Sequence, residues 1–505
     1  MIINANSTTN RTLILIDEYI NLLKKGVNSE KILVLVQNSK KKNEFINLIK
    51  EKFDFGNIGN LKIYSFFGLV YNYVNENWAL VENSIKDTKN VKILPNLCGL
   101  EVSQYIFKNC INEVDFTGYN SKTSLLHQLL RRYSLINFNA LDKKEIKLRE
   151  NILKESYSNE AREAINKYKL KTIEKRAFDY IRQINLFEYL YKNLKNEFEY
   201  VFLDDGDEII PALLEYLKYI KKDIKEFFIG YDSNGSSRLG YLGAINVDFE
   251  EFLGEKAHKI TAIDKKTKNA LKILNSIKKD ELIELENIEQ RTFLRRDEML
   301  DDVINEIKNL INQGVKYSDI SIITPLCDEF LKSSLEKSGF EFNFISKSEK
   351  LNQNRLIGYI LEFLKIINDT NNSDISPYCL KGILMELIGL RGASALQFIQ
   401  EYKIKRELED KNLFELIKEK KEEDFKKLYE IYEKIRFQKL SFQLCEIITN
   451  YIPLNKEISK DIIKINQLLK QIYDFEEVFN DEVGINELIN QIENTIISEN
   501  PLSDD

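Results

Sequence analysis

The hydrophobic pattern changes character several times along the 505 residues. A short apolar start at residues 1–3 runs into a polar loop, NANSTTN, at 4–10. From 11 to 25, Leu13, Leu15, Ile16, Tyr19, Ile20, Leu22 and Leu23 recur close to helical spacing and predict a helix. Ile32–Val36 (ILVLV) is then apolar at every position. A strand with one face in water alternates, so an unbroken run suits a central parallel strand covered on both faces. Helical spacing resumes over Lys40–Lys50, and another short strand, LKIYSF, follows near 61–66. Strand and helix in alternation predict an α/β parallel-sheet domain.

From about 95 to 175 the pattern is helical and charged, which reads as a helical insertion. The sheet then returns. Tyr200–Leu203 (YVFL) and Phe227–Gly230 (FFIG) are apolar strands that run into the polar loops DDGDE and YDSNGSS. Loops at strand C-termini are where an α/β sheet usually places ligands. A second α/β unit opens near 290, with a helix at about 297–312, a turn at Gln313-Gly314 and a strand at Ile320–Ile323. From about 350 onward everything reads as helix, and stretches such as KEKKEEDFKK read as solvated helix faces.

Composition adjusts this picture little. Six prolines and 19 glycines leave room for long helices, and 505 residues suffice for three or four domain-sized units. The net charge of −7 argues against a generally basic nucleic-acid coat, while a local basic groove stays open because binding follows the local field. Cys98, Cys110, Cys327, Cys379 and Cys445 are scattered with no C-x-x-C pair, which fits free thiols in a reducing cytosol and a cytoplasmic protein. His127 and His258 cannot build a His-rich metal site with them. The N-terminus lacks the basic and apolar regions of a signal peptide. No apolar run is long enough for a membrane span.

Seven segments in order carry candidate chemistry: ANSTTNRTLILIDEYINLL, ILVLVQNSKKKNEFINLI, IYSFFGLVYNYV, YVFLDDGDE, FFIGYDSNGSSRLGYLGA, DKKTKNALKILNSI and GVKYSDISIITPLCDEFLKSSLEKSGFEF. The fourth places four carboxylates, Asp204, Asp205, Asp207 and Glu208, within five residues at a strand end. Like charges so close repel unless something positive neutralises them. A divalent metal is one answer and a solvated loop is the other. In this order and spacing, from the N-terminus to about residue 365, the segments resemble the UvrD/Rep-type superfamily 1 DNA helicases.

The resemblance implies a P-loop NTPase-like fold. A parallel-sheet motor domain at 1–94 and 176–285 is interrupted by a helical insertion at 95–175. A partial second motor follows at 286–350, then a helical region at 351–505. It implies ATP and Mg²⁺ as family cofactors, single-stranded DNA as a partner, and a partner helicase or nuclease subunit for members that have lost activity. Ser7, Thr8, Thr9 and Asn10 fall at the phosphate loop, with Thr9 at the Lys position and Asn10 at the Thr position. Asn6 and Thr8 stand where glycines belong, and without glycine the backbone cannot wrap phosphate closely. Arg11 is adjacent and could lend charge, but one place along the helix it is expected to point elsewhere.

Asp204 matches the Mg²⁺ carboxylate and Asp205 the catalytic Glu that orients water, as a degenerate Walker B pair. Ser236 falls where the phosphate-sensing Gln belongs and Lys265 where an Arg reads the γ-phosphate; Lys lacks the planar fork. Asn38, Ser39, Lys40, Ser65, Phe66 and Tyr241 fall at DNA-contact positions, with phosphate contact and base stacking as the forces. Phe66 reads equally as core, and Trp78 in the next helix reads as core. Scaffold positions persist and nucleotide-contacting ones have changed, so a solvated carboxylate loop and an ATP site without hydrolysis are expected. The alternatives are an active ATP-dependent helicase completed by motifs beyond residue 505, a non-catalytic scaffold subunit of a recombination or repair nuclease complex, and a stable α/β protein with no DNA role.

Overall fold

The computed structural model describes residues 1–5, 11–53, 59–81, 95–116, 122–153, 158–233, 235, 244–260, 272–273, 276, 289–324, 329–340, 342, 354–368, 375–409, 411–451, 459–479 and 482–494. The chain forms two compact units, one of Met1–Ala262 with Lys350–Asp505 and one of Ile263–Glu349. The helical C-terminal region and the insertion, separate segments in sequence, thus share one unit with the sheet.

The first unit is built on a six-stranded sheet. Its strands are β1 (Ile2–Ala5), β2 (Ile32–Val36), β3 (Ile63–Ser65), β4 (Tyr200–Leu203), β5 (Glu226–Tyr231) and β6 (His258–Ile260), in the spatial order β3-β2-β4-β5-β1-β6. Every pairing is parallel, with Val34 opposite Phe202 and Ile63, and Ile3 opposite Gly230 and His258. The expectation that Ile32–Val36 and Tyr200–Leu203 share one sheet therefore holds.

The unbroken apolar run of β2 has the predicted cause. Ile32, Val34 and Val36 face one core, and Leu33 and Leu35 face another. The first core is closed by α1 (Arg11–Lys24) and α2 (Ser39–Lys52) through Leu15, Ile16, Tyr19, Phe45 and Ile49. Phe202 and Phe228 stack across β4 and β5 at 4.3 Å between centroids, and Tyr19 meets Phe202 edge-on. Such pairs add about 0.5–1.5 kcal/mol each beyond area burial. The other face is covered by α3 (Phe66–Glu76), after which comes the short α4 (Trp78–Val81).

The insertion is helical, as expected: α5 (Leu100–Asn112), α6 (Lys122–Phe138), α7 (Lys143–Leu153) and α8 (Ser158–Glu174). Then α9 (Tyr180–Asn193) returns to pack on α3, and α10 (Pro211–Ile220) and α11 (Phe249–Leu253) complete this half of the unit. Trp78 is buried against Phe178, in agreement with its reading as core.

The second unit contains α12 (Arg296–Asn312) and α13 (Glu329–Lys337), which meet through Leu300, Ile307, Leu331 and Leu335. The predicted turn closes α12 at Gly314, whose φ of +87° is open to glycine. Ile320–Ile323, expected as a strand, is not one. Among the described residues it pairs with no other strand, and Ile323 is 94% exposed. A lone extended segment has no ladder partner to hold it.

The C-terminal part of the first unit comprises α14 (Arg355–Asn368), α15 (Pro377–Gly382, continuing as a π-turn over Ile383–Leu387), α16 (Gly392–Glu409), α17 (Leu413–Glu419), α18 (Glu423–Ile435), α19 (Leu440–Tyr451), α20 (Ser459–Phe479) and α21 (Ile485–Asn494). It docks on the insertion along a mixed seam. Tyr105 of α5 packs on Phe475 and Phe479, Gly99 N–H donates to Asp474 at 3.0 Å, Gln471 donates to buried Glu101 at 3.1 Å, and Tyr105 Oη donates to Glu487 at 2.7 Å.

Candidate functional site

Because all six strands are parallel, the C-terminal ends of β1, β4 and β5 open on one edge of the sheet. Asp204 follows β4 there and is buried, its N–H donating to Leu35 O at 2.9 Å. Asp205 turns left-handed, at φ +58° and ψ +46°, a conformation that Asp tolerates better than most side chains. The turn brings Asp204, Asp205 and Asp207 round to face the start of α1. Glu208, next in the chain, is half-buried.

Arg11 is the first residue of α1 and only 4% exposed. Its guanidinium donates to Asp205 Oδ1, to Asp207 Oδ1 at 3.4 Å and to the Ala5 carbonyl at 3.1 Å, and its Nε lies 3.7 Å from Asp204 Oδ1. Thr12 Oγ1 donates to Asp204 Oδ2 at 2.8 Å. Helix α1 has no acidic residue in its own first turn, so the β4 loop supplies the negative charge that its N-terminal dipole favours. Gly230 on β5 permits this close approach, since a Cβ there would stand 3.1 Å from Leu15 Cδ1.

The electrostatics are unbalanced, with three carboxylates around one guanidinium. Burial alone would push Arg11 down, but Asp205, Asp207 and Asp204 outweigh it and hold the guanidinium above its ordinary range. For Asp204 the balance falls the other way. Burial, then the neighbouring charge of Asp205, pushes its carboxyl up to about 6 against Thr12, Arg11 and Lys41.

This corrects two expectations. The carboxylates are not a solvated loop, and Arg11 does not point away, because its long side chain folds back from the helix start onto the strand ends. Mg²⁺ fits poorly here. A guanidinium already stands against the three carboxylates, and among the described residues no group of three or more His, Cys, Asp or Glu side chains is placed to hold a metal.

The other expected positions divide. Asn38 and Ser65 cap helices: Asn38 Oδ1 accepts from Lys41 N at 3.0 Å, and Ser65 Oγ accepts from Gly68 N at 3.0 Å. Ser39 and Lys40 open α2, and Lys40 is exposed. Phe66 is buried against Phe67 and Phe187, so its ring belongs to the core and is not presented for base stacking. Ser7, Thr8, Thr9, Asn10, Ser236, Tyr241 and Lys265 lie outside the described residues. Thr12 was not singled out by the sequence; a hydroxyl beside an arginine at a helix start, opposite an acidic strand end, was the available signal. A scan of protein-family models and a search of curated proteins find no match to this chain.

Proposed function

We propose that the chain is a UvrD/Rep-like helicase-fold module that binds single-stranded DNA and does not hydrolyse ATP. The observation that carries this reading is Arg11, buried and ion-paired with Asp204, Asp205 and Asp207 where the resemblance would put a metal ion and phosphate. Phosphoryl transfer depends on a metal and on cations free to take up transition-state charge. Here the carboxylates are occupied by an internal cation, and the Walker lysine position holds Thr9. With Phe66 in the core, DNA contact rests on phosphates drawn to Lys40, Lys41 and Lys42 at the start of α2, giving weak, salt-sensitive binding with little sequence preference. The burial of Phe66 also favours a second reading, a non-catalytic scaffold subunit of a recombination or repair nuclease complex, which needs no base-stacking platform.

An ATPase assay with and without oligo-dT, joined to a fluorescence titration of labelled oligo-dT at low and moderate salt, tests both. The expected outcome is no turnover, and binding at low salt that weakens when Lys40, Lys41 and Lys42 are changed to Ala. DNA-stimulated hydrolysis at about 1 per second, abolished by Asp204→Asn, would overturn the first part. Absence of binding at low salt would leave the scaffold reading.

A further inference from the structure

Helix α7 in the insertion buries a charge and exposes two aliphatic side chains. It begins with a reciprocal cap: Asp142 Oδ1 accepts from Glu145 N at 2.8 Å, and Glu145 Oε2 accepts from Asp142 N at 3.0 Å. Its inward side is anchored by a charge. It is Glu150, 7% exposed and clamped between Arg132 of α6 and Arg162 of α8, the latter at 3.1 Å. Ile146, one turn before Glu150, is half-buried on the same side, whereas Leu148 and Ile152 point away from that anchor. At about 100° per residue, Leu148 and Ile152 stand roughly 160° and 200° round the helix from Glu150. They are 60% and 69% exposed.

A single exposed leucine needs no explanation, but two on one stripe opposite a buried charge do. Lys144 precedes Leu148 and Ile152 on that stripe at i−4 and i−8, and Lys143, Lys147 and Arg149 are also exposed on this helix. Among the described residues none of the four pairs with a carboxylate. Lys143 and Lys144 sit in the first turn, where the helix dipole disfavours positive charge. Residues 95–175 hold more Lys and Arg than Asp and Glu, although the whole chain carries −7.

We propose that the outer face of α7 docks an acidic amphipathic helix of a partner protein, with Leu148 and Ile152 as the apolar anchors and Lys144, Lys147 and Arg149 pairing with flanking carboxylates. The apolar pair decides the class of partner. Phosphate backbones are drawn by the cations alone and gain nothing from two aliphatic side chains, whereas a helix laid in apolar register covers them. The inference does not depend on the DNA reading, and its test uses a different probe.

The test is a fluorescence-anisotropy titration of the full chain with a labelled helical peptide carrying leucines on one face and glutamates beside them. Its scrambled counterpart, which has no apolar face, is the control. Leu148→Ser with Ile152→Ser should weaken binding about tenfold or more, as loss of buried anchors does. Lys144→Ala with Lys147→Ala should also weaken it and reduce its dependence on salt. Both variants should keep the wild-type circular dichroism and melting temperature, because the altered side chains are exposed. Equal binding of the scrambled peptide, no saturable binding, or indifference to the Leu148/Ile152 variant would overturn the proposal. So would displacement of the peptide by oligo-dT, which would assign the face to nucleic acid. Light scattering that showed a wild-type dimer lost in the Leu148/Ile152 variant would overturn it too, because the occupant would be a second copy.

Discussion

Two places in this molecule bury carboxylates under arginine, with opposite arithmetic. At the strand ends, Asp204, Asp205 and Asp207 share Arg11. In the insertion, Glu150 alone is shared by Arg132 and Arg162. Among the described residues, three carboxylates gather at one guanidinium in the first cluster and one carboxylate sits between two guanidinium groups in the second. Arg11 is almost wholly buried, whereas Arg162 is 47% exposed and can turn to water if its partner is lost. Similar ion pairs thus serve different ends. The first fills a place with a fixed internal cation, and the second fastens one helix by a buried charge and leaves Leu148 and Ile152 outward. Buried pairs are weak evidence of net stability, but removing one partner leaves an uncompensated charge, so single truncations expose the difference.

The largest effect should come from Arg11→Ala, which removes the shared cation from buried Asp204 and Asp207 and half-buried Asp205 and should cost about 3–5 kcal/mol in urea unfolding of the first unit at neutral pH. A loss under about 1 kcal/mol would mean that water, not Arg11, balances the cluster. A smaller effect should appear with pH. The Asp204 carboxyl is raised from its ordinary 3.8 to about 6, so the native state holds a proton there that the unfolded chain has released. That contribution is complete below about pH 4 and is lost as pH rises through about 6. Asp204→Asn should flatten that part of the stability profile, and an unchanged slope would place the titrating group elsewhere. Glu150→Ala should cost about 1–3 kcal/mol, less than Arg11→Ala because Arg162 is readily solvated and Arg132 is less buried than Arg11. If it cost more, the comparison would be reversed. Thr12→Ala removes one hydrogen bond to Asp204 and should cost about 1 kcal/mol, read as a small fall in the urea midpoint.

Much of the sheet was legible because parallel strands covered on both faces leave an unmistakable run, as Ile32–Val36 and Tyr200–Leu203 do. The turn at Gly314 was legible for the same local reason. The candidate site was half legible. The acidic strand end was plain, but its partner was misread because Arg11 lies 193 positions before Asp204 and a periodicity argument fixes where a Cα points, not where a long side chain ends. Phe66 was ambiguous because the residue after a strand is read alike whether it starts a buried helix or a contact loop. The seam between α5 and α20 was not legible at all. It joins Tyr105 to Phe475 and Phe479 and adds polar contacts such as Gln471 to Glu101, and no local pattern pairs residues some 370 positions apart.

Whether Arg11 is the cation of the strand-end cluster can be read from a thermal-shift titration with Mg²⁺ on the wild-type chain and on Arg11→Ala. The wild-type melting temperature should be indifferent to millimolar Mg²⁺. The variant should start lower and recover part of the loss as the divalent ion takes the vacated place among Asp204, Asp205 and Asp207, with Asp204→Asn in the same background abolishing the recovery. A wild-type chain stabilised by Mg²⁺ through Asp204, or a variant that melts like the wild type and ignores the ion, would contradict it.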